Sequence, residues 1–237
     1  MFTQEIDHSI ISPTQLLIIE IITALLIMLT LWMIFVYAPM EQIMGAVQKV
    51  FYIHVASLWV GMLGFLIAAF TSLRYLQSTK IHYDLMSIAA IEISLVFFLL
   101  GIISGSIWAK PIWNTWWTWD PRLTSAAIVE LVYCAYFILR QSIEMPEQRA
   151  RFSAVYAILG FISVPLTFLS IRFLRTIHPV VIGTNEQGFV SIAPSMLHTL
   201  LVTIIAFSLL FIILFWKRIR LGEAALQLET IKEKLYE

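Results

Sequence analysis

Five tryptophans, Trp108, Trp113, Trp116, Trp117 and Trp119, crowd into twelve residues of a chain that holds eight in all. Tryptophan is costly to leave in water, so such a cluster calls for a buried slot or a flat apolar partner. Trp113, Trp116 and Trp117 follow i, i+3, i+4 spacing, which on a short helical turn would put three indoles on one face as a platform, with Trp119 and Asp120 leading into the next helix. Elsewhere in the sequence stand His54, His178 and His198, and a set of bases, Lys49, Lys110, Arg122, Arg172 and Arg175. Imidazole nitrogens that can ligate iron, a flat aromatic wall and cations for two carboxylates are together what a haem requires.

Each feature also has a plainer account. Indoles anchor helix ends at a membrane surface, a membrane histidine can be a hydrogen-bonded packing residue, and bases near helix ends snorkel to water. Zinc would want three or four close ligands, and no short-spaced pair such as HxxxH stands among these histidines. There is no GxSxG for a serine nucleophile and no GxxxxGK[ST] for nucleotide-driven work. The single cysteine, Cys134, lies in an apolar run, without a CxxC redox pair or a CxxCH haem-attachment site, and reads as a packing residue.

The elements that must position these groups are membrane helices. The 237 residues are 60% hydrophobic and only 13% charged, with a mean hydropathy of +0.88, more apolar surface than one soluble core of this length could hide. Fifteen basic and fifteen acidic side chains cancel, which gives no electrostatic footprint for nucleic acid. The expected fold class is all-α, a polytopic membrane protein with six transmembrane helices near residues 15–37, 50–73, 85–107, 121–140, 152–171 and 195–216. The first run is too long for a signal h-region, carries no basic residue before it and lacks a small-residue cleavage site, so it is expected to remain as a helix.

Ten Lys and Arg fall on the side of the two termini and five on the opposite side, so both termini are expected in the cytoplasm. That orientation puts His54, His178, His198 and the tryptophans on the outer face, and His8 and His82 on the cytoplasmic one. From His54, steps of three and four residues reach Ser57, Gly61, Gly64 and Ala68, a row small enough for a neighbouring helix to approach closely. His54 should therefore face the bundle. Gly101 and Gly105 form a similar pair at the outer end of the third helix. Asp120 before Pro121 reads as the N-cap of the fourth. Pro179 holds His178 in an extended or turn conformation within an outer loop that also contains Gly183 and Gly188. Domain 1–216, with its tryptophan-rich segment 108–124, is followed by a cytoplasmic tail, 217–237, in which Leu221, Ala224, Leu228, Ile231 and Leu235 give an amphipathic helix. Glu20, Glu92 and Glu130 lie at membrane depth, as structural hydrogen-bond partners or as proton sites.

Residues 113–124, reading WNTWWTWDPRLT, resemble the tryptophan-rich "WWD" signature, roughly WGxWWxWDxRLT, of the haem-handling proteins of cytochrome c biogenesis. With six helices, FYIHV at residues 51–55 and TIHP at 176–179, the chain resembles the haem exporter protein C family (CcmC) of the cytochrome c maturation system. The resemblance covers most of the chain, from the second helix through the sixth. It implies that His54 and His178 are the two axial ligands of a non-covalent haem b. Trp113, Trp116, Trp117 and Trp119, with Asp120 and Arg122, would form the outward haem platform. It also implies a multi-pass protein of the bacterial inner membrane, with its haem site on the periplasmic side. There it would present haem to the haem chaperone CcmE, alongside the ABC-type subunits CcmA and CcmB and the small membrane protein CcmD. Such a protein carries haem and is not an enzyme acting on substrate bonds.

The sequence departs from that pattern in places. Asn114 replaces the usual glycine, and residues 170–175, SIRFLR, stand where a tryptophan pair is expected, leaving Arg172 and Arg175 as candidate propionate partners. His198 matches no family position. Two other readings compete. A cytochrome c synthetase of the other biogenesis system would need more helices and histidines, and a permease subunit would need Glu20, Glu92 and Glu130 to line one pathway.

Overall fold

The computed structural model describes residues 12–41, 44–178, 184–185, 188–189 and 193–236. His8, Pro179, Gly183 and the Arg172 side chain lie outside what it describes. Among the described residues the regular structure is helical apart from an isolated Glu41–Gly45 bridge and a two-residue antiparallel pairing of β1, Thr184–Asn185, with β2, Gly188–Phe189. Among the described residues six helical spans are long and apolar enough to cross a bilayer, and they coincide with the six apolar runs of the sequence.

Helix α1, Pro13–Trp32, begins in a reciprocal capping box. The Ser12 hydroxyl accepts the Gln15 N–H at 3.2 Å while the Gln15 side chain accepts the Ser12 N–H at 2.9 Å. It runs on through a π-helical turn, Met33–Tyr37, and ends before Pro39. Helices α2, Gln48–Ser78, and α3, Ile81–Trp113, form the central hairpin. Thr79, in the left-handed region at φ 55°, makes the tight connection, and its N–H donates to the Tyr75 carbonyl at 2.7 Å. Helix α4 spans Pro121–Gln141.

The fifth span is not one helix. It breaks at Ile162 into α5, Pro146–Phe161, and α6, Ser163–Phe173. Pro165 is the cause: it has no N–H for the Phe161 carbonyl, and its ring crowds that carbonyl. Helix α7, Pro194–Tyr236, runs 43 residues without interruption, so the 217–236 tail continues the last span as helix. At 1.5 Å per residue that is about 65 Å, roughly twice the hydrocarbon thickness of a bilayer.

Lipid tails are as apolar as leucine, so helices in a bilayer associate through close van der Waals contact and hydrogen bonds. The α2–α3 pair meets that demand with the small-residue row that starts at His54. Ser57 and Ala68 are fully buried in it, and Gly64 sits so close to α3 and α7 that an added Cβ would fall 2.0 Å from Ser94 Oγ and 2.6 Å from a Phe211 ring carbon. Further along, the Ser72 and Ser87 hydroxyls bond across the pair at 2.8 Å. The core then extends to α4, α5 and α6 through Phe65 stacked on Tyr133, with ring centroids 3.8 Å apart, and through Tyr136, Ala157 and Val164.

At the end of the bundle where α3 begins and α4 stops, the acids of the spans meet bases. Asp84 takes a bidentate pair from Arg140 at 2.6 and 2.9 Å. Glu20 pairs with Lys217 at 2.6 Å, and Glu92 takes a two-point contact from Arg218. Lys217 and Arg218 are adjacent on α7, so they staple that helix to α1 and α3. Two of the three carboxylates at membrane depth are thus held in separate ion pairs, which counts against the shared pathway a permease reading needs.

Gly64→Ala is expected to cost about 1–3 kcal/mol, because neither Ser94 nor Phe211 can retreat from a packed three-helix contact. Thermal unfolding of the detergent-solubilised protein is the measurement, and an unchanged melting temperature would contradict the packing described.

Candidate functional site

At the opposite end of the bundle the start of α2, the end of α3, the start of α4 and the segment after α6 surround an open cleft. Its lining is mostly apolar, with Leu58 and Ile102 on one side and Leu123 and Ala126 on the other, and it holds His54, His178, Trp108, Trp113, Trp117 and Arg122.

His54 lies one turn and a half into α2 and faces α3, as the small-residue row requires. Gly105 makes its seat, since a Cβ there would fall 2.6 Å from the imidazole Cε1. Four residues earlier Gly101 does the same for Leu58, and its carbonyl accepts a hydrogen bond from His54 Nδ1 at 2.8 Å. A carbonyl can only accept, so Nδ1 carries the proton and the lone pair of the neutral ring is on Nε2. A backbone carbonyl that fixes the tautomer and the ring plane in this way is the usual support of a metal-binding histidine.

His178 comes from the far side, on the stretch that follows α6. Its ring centroid stands 6.4 Å from that of His54, with the planes 39° apart, and 6.4 Å from that of Trp113. Two metal–nitrogen bonds of about 2 Å each, plus the ring radii, place imidazole centroids roughly 6–7 Å apart across a shared metal. The pair has the spacing for two axial ligands.

The carboxylate of Asp120 sets the position of that histidine. Its Oδ1 accepts the Arg122 N–H at 3.0 Å, the N-cap bond expected of α4. Oδ1 also accepts the Thr176 hydroxyl at 2.6 Å, and Oδ2 accepts the Ile177 N–H at 2.9 Å. The His178 N–H then donates to Thr176 Oγ1 at 3.1 Å. One side chain thereby joins the tryptophan segment to the imidazole 58 residues later in the chain. Burial alone would raise the Asp120 carboxyl. The bonds from Thr176, Ile177 and Arg122, with the charge of His178, outweigh that and hold it below the ordinary carboxylate range.

The tryptophans do not form a helical turn. Helix α3 persists through Pro111 to Trp113 and stops at Asn114, whose φ of 56° is a left-handed conformation that asparagine tolerates. From there the chain bends and extends to Asp120, so Trp113, Trp116 and Trp117 do not share one helical face. Trp113 packs edge-on against the buried Trp108 at 5.6 Å, and Trp117 edge-on against Trp119 at 6.0 Å. Trp108, Trp113 and Trp117 line the cleft, whereas Trp116 is 57% and Trp119 80% exposed, as an outer lip.

The bases separate in the same way. Lys49 donates to the Phe35 carbonyl at 3.3 Å and Lys110 to the Asn114 carbonyl at 3.1 Å, so both secure helix ends. Arg122 lines the cleft with its guanidinium 5.5 Å from the Phe168 ring centroid. Arg175 is exposed on the segment that leads to His178. His198 stands apart, 3.4 Å from the Tyr37 hydroxyl in the π-helical turn that follows α1. Among the described residues no three His, Cys or carboxylate side chains gather as a zinc site would need.

A six-span helical membrane protein with a tryptophan-lined, two-histidine cleft at one end defines the class. Residues 5–233 match the family model described as "Heme exporter protein C", and the chain belongs to that family. Proteins of that name from three bacteria are similar to it. The one from Bradyrhizobium diazoefficiens is 34% identical over 177 residues, covering 75% of this chain and 67% of the relative. The one from Paracoccus denitrificans is 30% identical over 188 residues, 77% and 76% of the two chains. That from Escherichia coli K12 is 30% identical over 179 residues, 74% and 70%.

A lowered Asp120 pKa means that its bonds stabilise the His178 segment fully above the unfolded carboxylate pKa, and that this is lost as pH falls through the lower folded value. The protection of the Ile177 amide from exchange, relative to its intrinsic rate at each pH, should therefore be high near neutrality and fall away below about pH 4. In Asp120→Ala that protection should be absent at every pH, with about 1 kcal/mol lost from the α4 cap. Equal exchange in both proteins at neutral pH would refute the bridge.

Proposed function

We propose that this protein holds haem non-covalently, as haem b, in the cleft between His54 and His178, and passes it on for cytochrome c maturation. The observation that carries the reading is the pair of imidazoles 6.4 Å apart, one of them held by the Gly101 carbonyl with Nε2 as its acceptor nitrogen. Haem would supply a flat apolar macrocycle, a ligand-hungry iron and two anionic propionates.

The chain's own residues meet each of these. Gly105 and the Gly101 carbonyl orient His54, while Asp120 and Thr176 orient His178. Trp108, Trp113 and Trp117 keep water from the inner wall, and Arg122 offers a fixed cation at the α4 side. Trp116, Trp119 and Arg175, exposed at the lip, are suited to contact the cargo's rim or an incoming acceptor. No nucleophile or acid–base pair is needed, because the task is to bind and release an intact cofactor, and the protein acts as a carrier, not as an enzyme.

The orientation that suits this task has both termini in the cytoplasm and the cleft on the periplasmic side of a bacterial inner membrane. The two-to-one excess of Lys and Arg on the side of the termini supports it. Family membership supports the haem chaperone CcmE as the acceptor, and CcmA, CcmB and CcmD as the associated subunits.

Full-length protein purified from haem-replete cells is expected to carry haem with a six-coordinate, low-spin spectrum. His54→Ala or His178→Ala alone should give a high-spin spectrum, and the double substitution should lose most of the bound haem. A low-spin spectrum that survives the double substitution would overturn the assignment.

A further inference from the structure

We propose that the two axial histidines have unequal roles: His178 is the ligand that lets go, carried away by α6 swinging about Pro165, while His54 keeps its hold until an acceptor takes the cargo from the His178 side. This rests on the haem reading above.

The fixed side is read from the α2–α3 contact. The His54 ring lies in the Gly105 notch with its Nδ1 on the Gly101 carbonyl, and its neighbours along α2, Tyr52, Ala56 and Ser57, are fully buried. Two turns further on, a Cβ at Gly61 would fall 3.1 Å from Phe98. His54 can therefore move only if α2 and α3 part over several turns, which would open the packed core.

The other side is built differently. Helix α6 packs on α4 and α5, and its joint with α5 is poor in backbone hydrogen bonds, since Pro165 has no N–H for the Phe161 carbonyl. Ser163, Thr167 and Ser170 each turn a hydroxyl back onto the carbonyl three residues earlier, at 2.6, 2.8 and 2.7 Å. Such back-bonding loosens and bends a helix. Beyond Phe173 the chain is irregular, and its attachments are the polar ones from Thr176 and Ile177 to the Asp120 carboxylate. Ile177 is 54% exposed, so water can take over those bonds as the segment lifts. The 11 residues of α6, at 1.5 Å each, make a lever of about 16 Å. A swing of about 10° carries its tip about 3 Å, more than a metal–nitrogen bond of about 2 Å.

The step is a ligand substitution. The bond from the His178 nitrogen to iron breaks with the lone pair staying on nitrogen, and a donor atom of the acceptor takes the vacated position, with no electron transferred. Pro165 and Thr176 act as positioning residues through His178.

The test uses the haem-loaded full-length protein and two readouts. Carbon monoxide binds the reduced protein only as fast as an axial histidine leaves, and excess apomyoglobin collects the haem that is released. Thr176→Val, which removes one of the two attachments to Asp120, should speed both about tenfold. Pro165→Ala restores the missing N–H and should slow both about three- to tenfold, with the low-spin spectrum and the bound haem unchanged. Carbon monoxide rates that neither substitution moves would mark His54 as the departing ligand and overturn the proposal. So would rates that both substitutions shift in the same direction. If Pro165→Ala misfolds or loses the low-spin spectrum, the Thr176→Val rates decide alone. An unsubstituted protein without low-spin haem would instead sink the haem reading, and this proposal with it.

Discussion

Everything at the functional end of this bundle depends on how closely α2 and α3 approach. In lipid there is no hydrophobic gain from pairing two helices, so the contact must be made by shape. Glycine and serine rows on both helices provide it, and the closeness has a chemical result. A ring as large as imidazole fits between the backbones only because Gly105 leaves a notch, and the Gly101 carbonyl is within reach of Nδ1 only because the helices touch. Packing and the orientation of the imidazole are one arrangement here. The same four-residue step along α3 that admits Leu58 and His54 also fixes the ring plane and the tautomer.

The second imidazole is positioned by a different device. His178 lies on irregular chain, where no helix geometry can hold it, and the Asp120 carboxylate supplies the missing restraint. An N-cap normally satisfies the first N–H groups of its own helix. Asp120 does that with Oδ1 and extends both oxygens to Thr176 and Ile177, so the start of α4 is a fixed reference for the segment that delivers the ring. The tryptophans between α3 and α4 are held at both ends, by Asn114 closing α3 and by Asp120 opening α4, which is why an extended stretch can keep Trp117 on the cleft.

The sequence was informative where one element decides the outcome. Six apolar runs located the spans, the small-residue row gave the face of α2, and Asp–Pro marked the start of α4, since each rests on local periodicity or capping chemistry. Contacts between distant elements were not legible. Nothing in residues 113–124 tells that Asp120 reaches Thr176, or that Arg122 lies against Phe168, because those pairings depend on where α6 ends. Indole spacing suggested a helical turn, but Asn114 took the left-handed conformation that ends α3 and released the following residues into an extended path. The break in the fifth span was written in Pro165, though hydropathy, which measures only composition, ran straight across it.

The distribution of the site along the chain has a consequence for biogenesis. His54 is delivered to the membrane more than a hundred residues before His178 is synthesised, and Asp120 lies between them. While the ribosome is still working through α5, a nascent chain holds one imidazole, the aromatic wall and a helix cap whose spare oxygen has nothing to grip. Only when residues 176–178 emerge does the second half of the site arrive, and by then the anchor is already in place. Membrane insertion in chain order thus leaves His54 without its facing imidazole until α6 has been made.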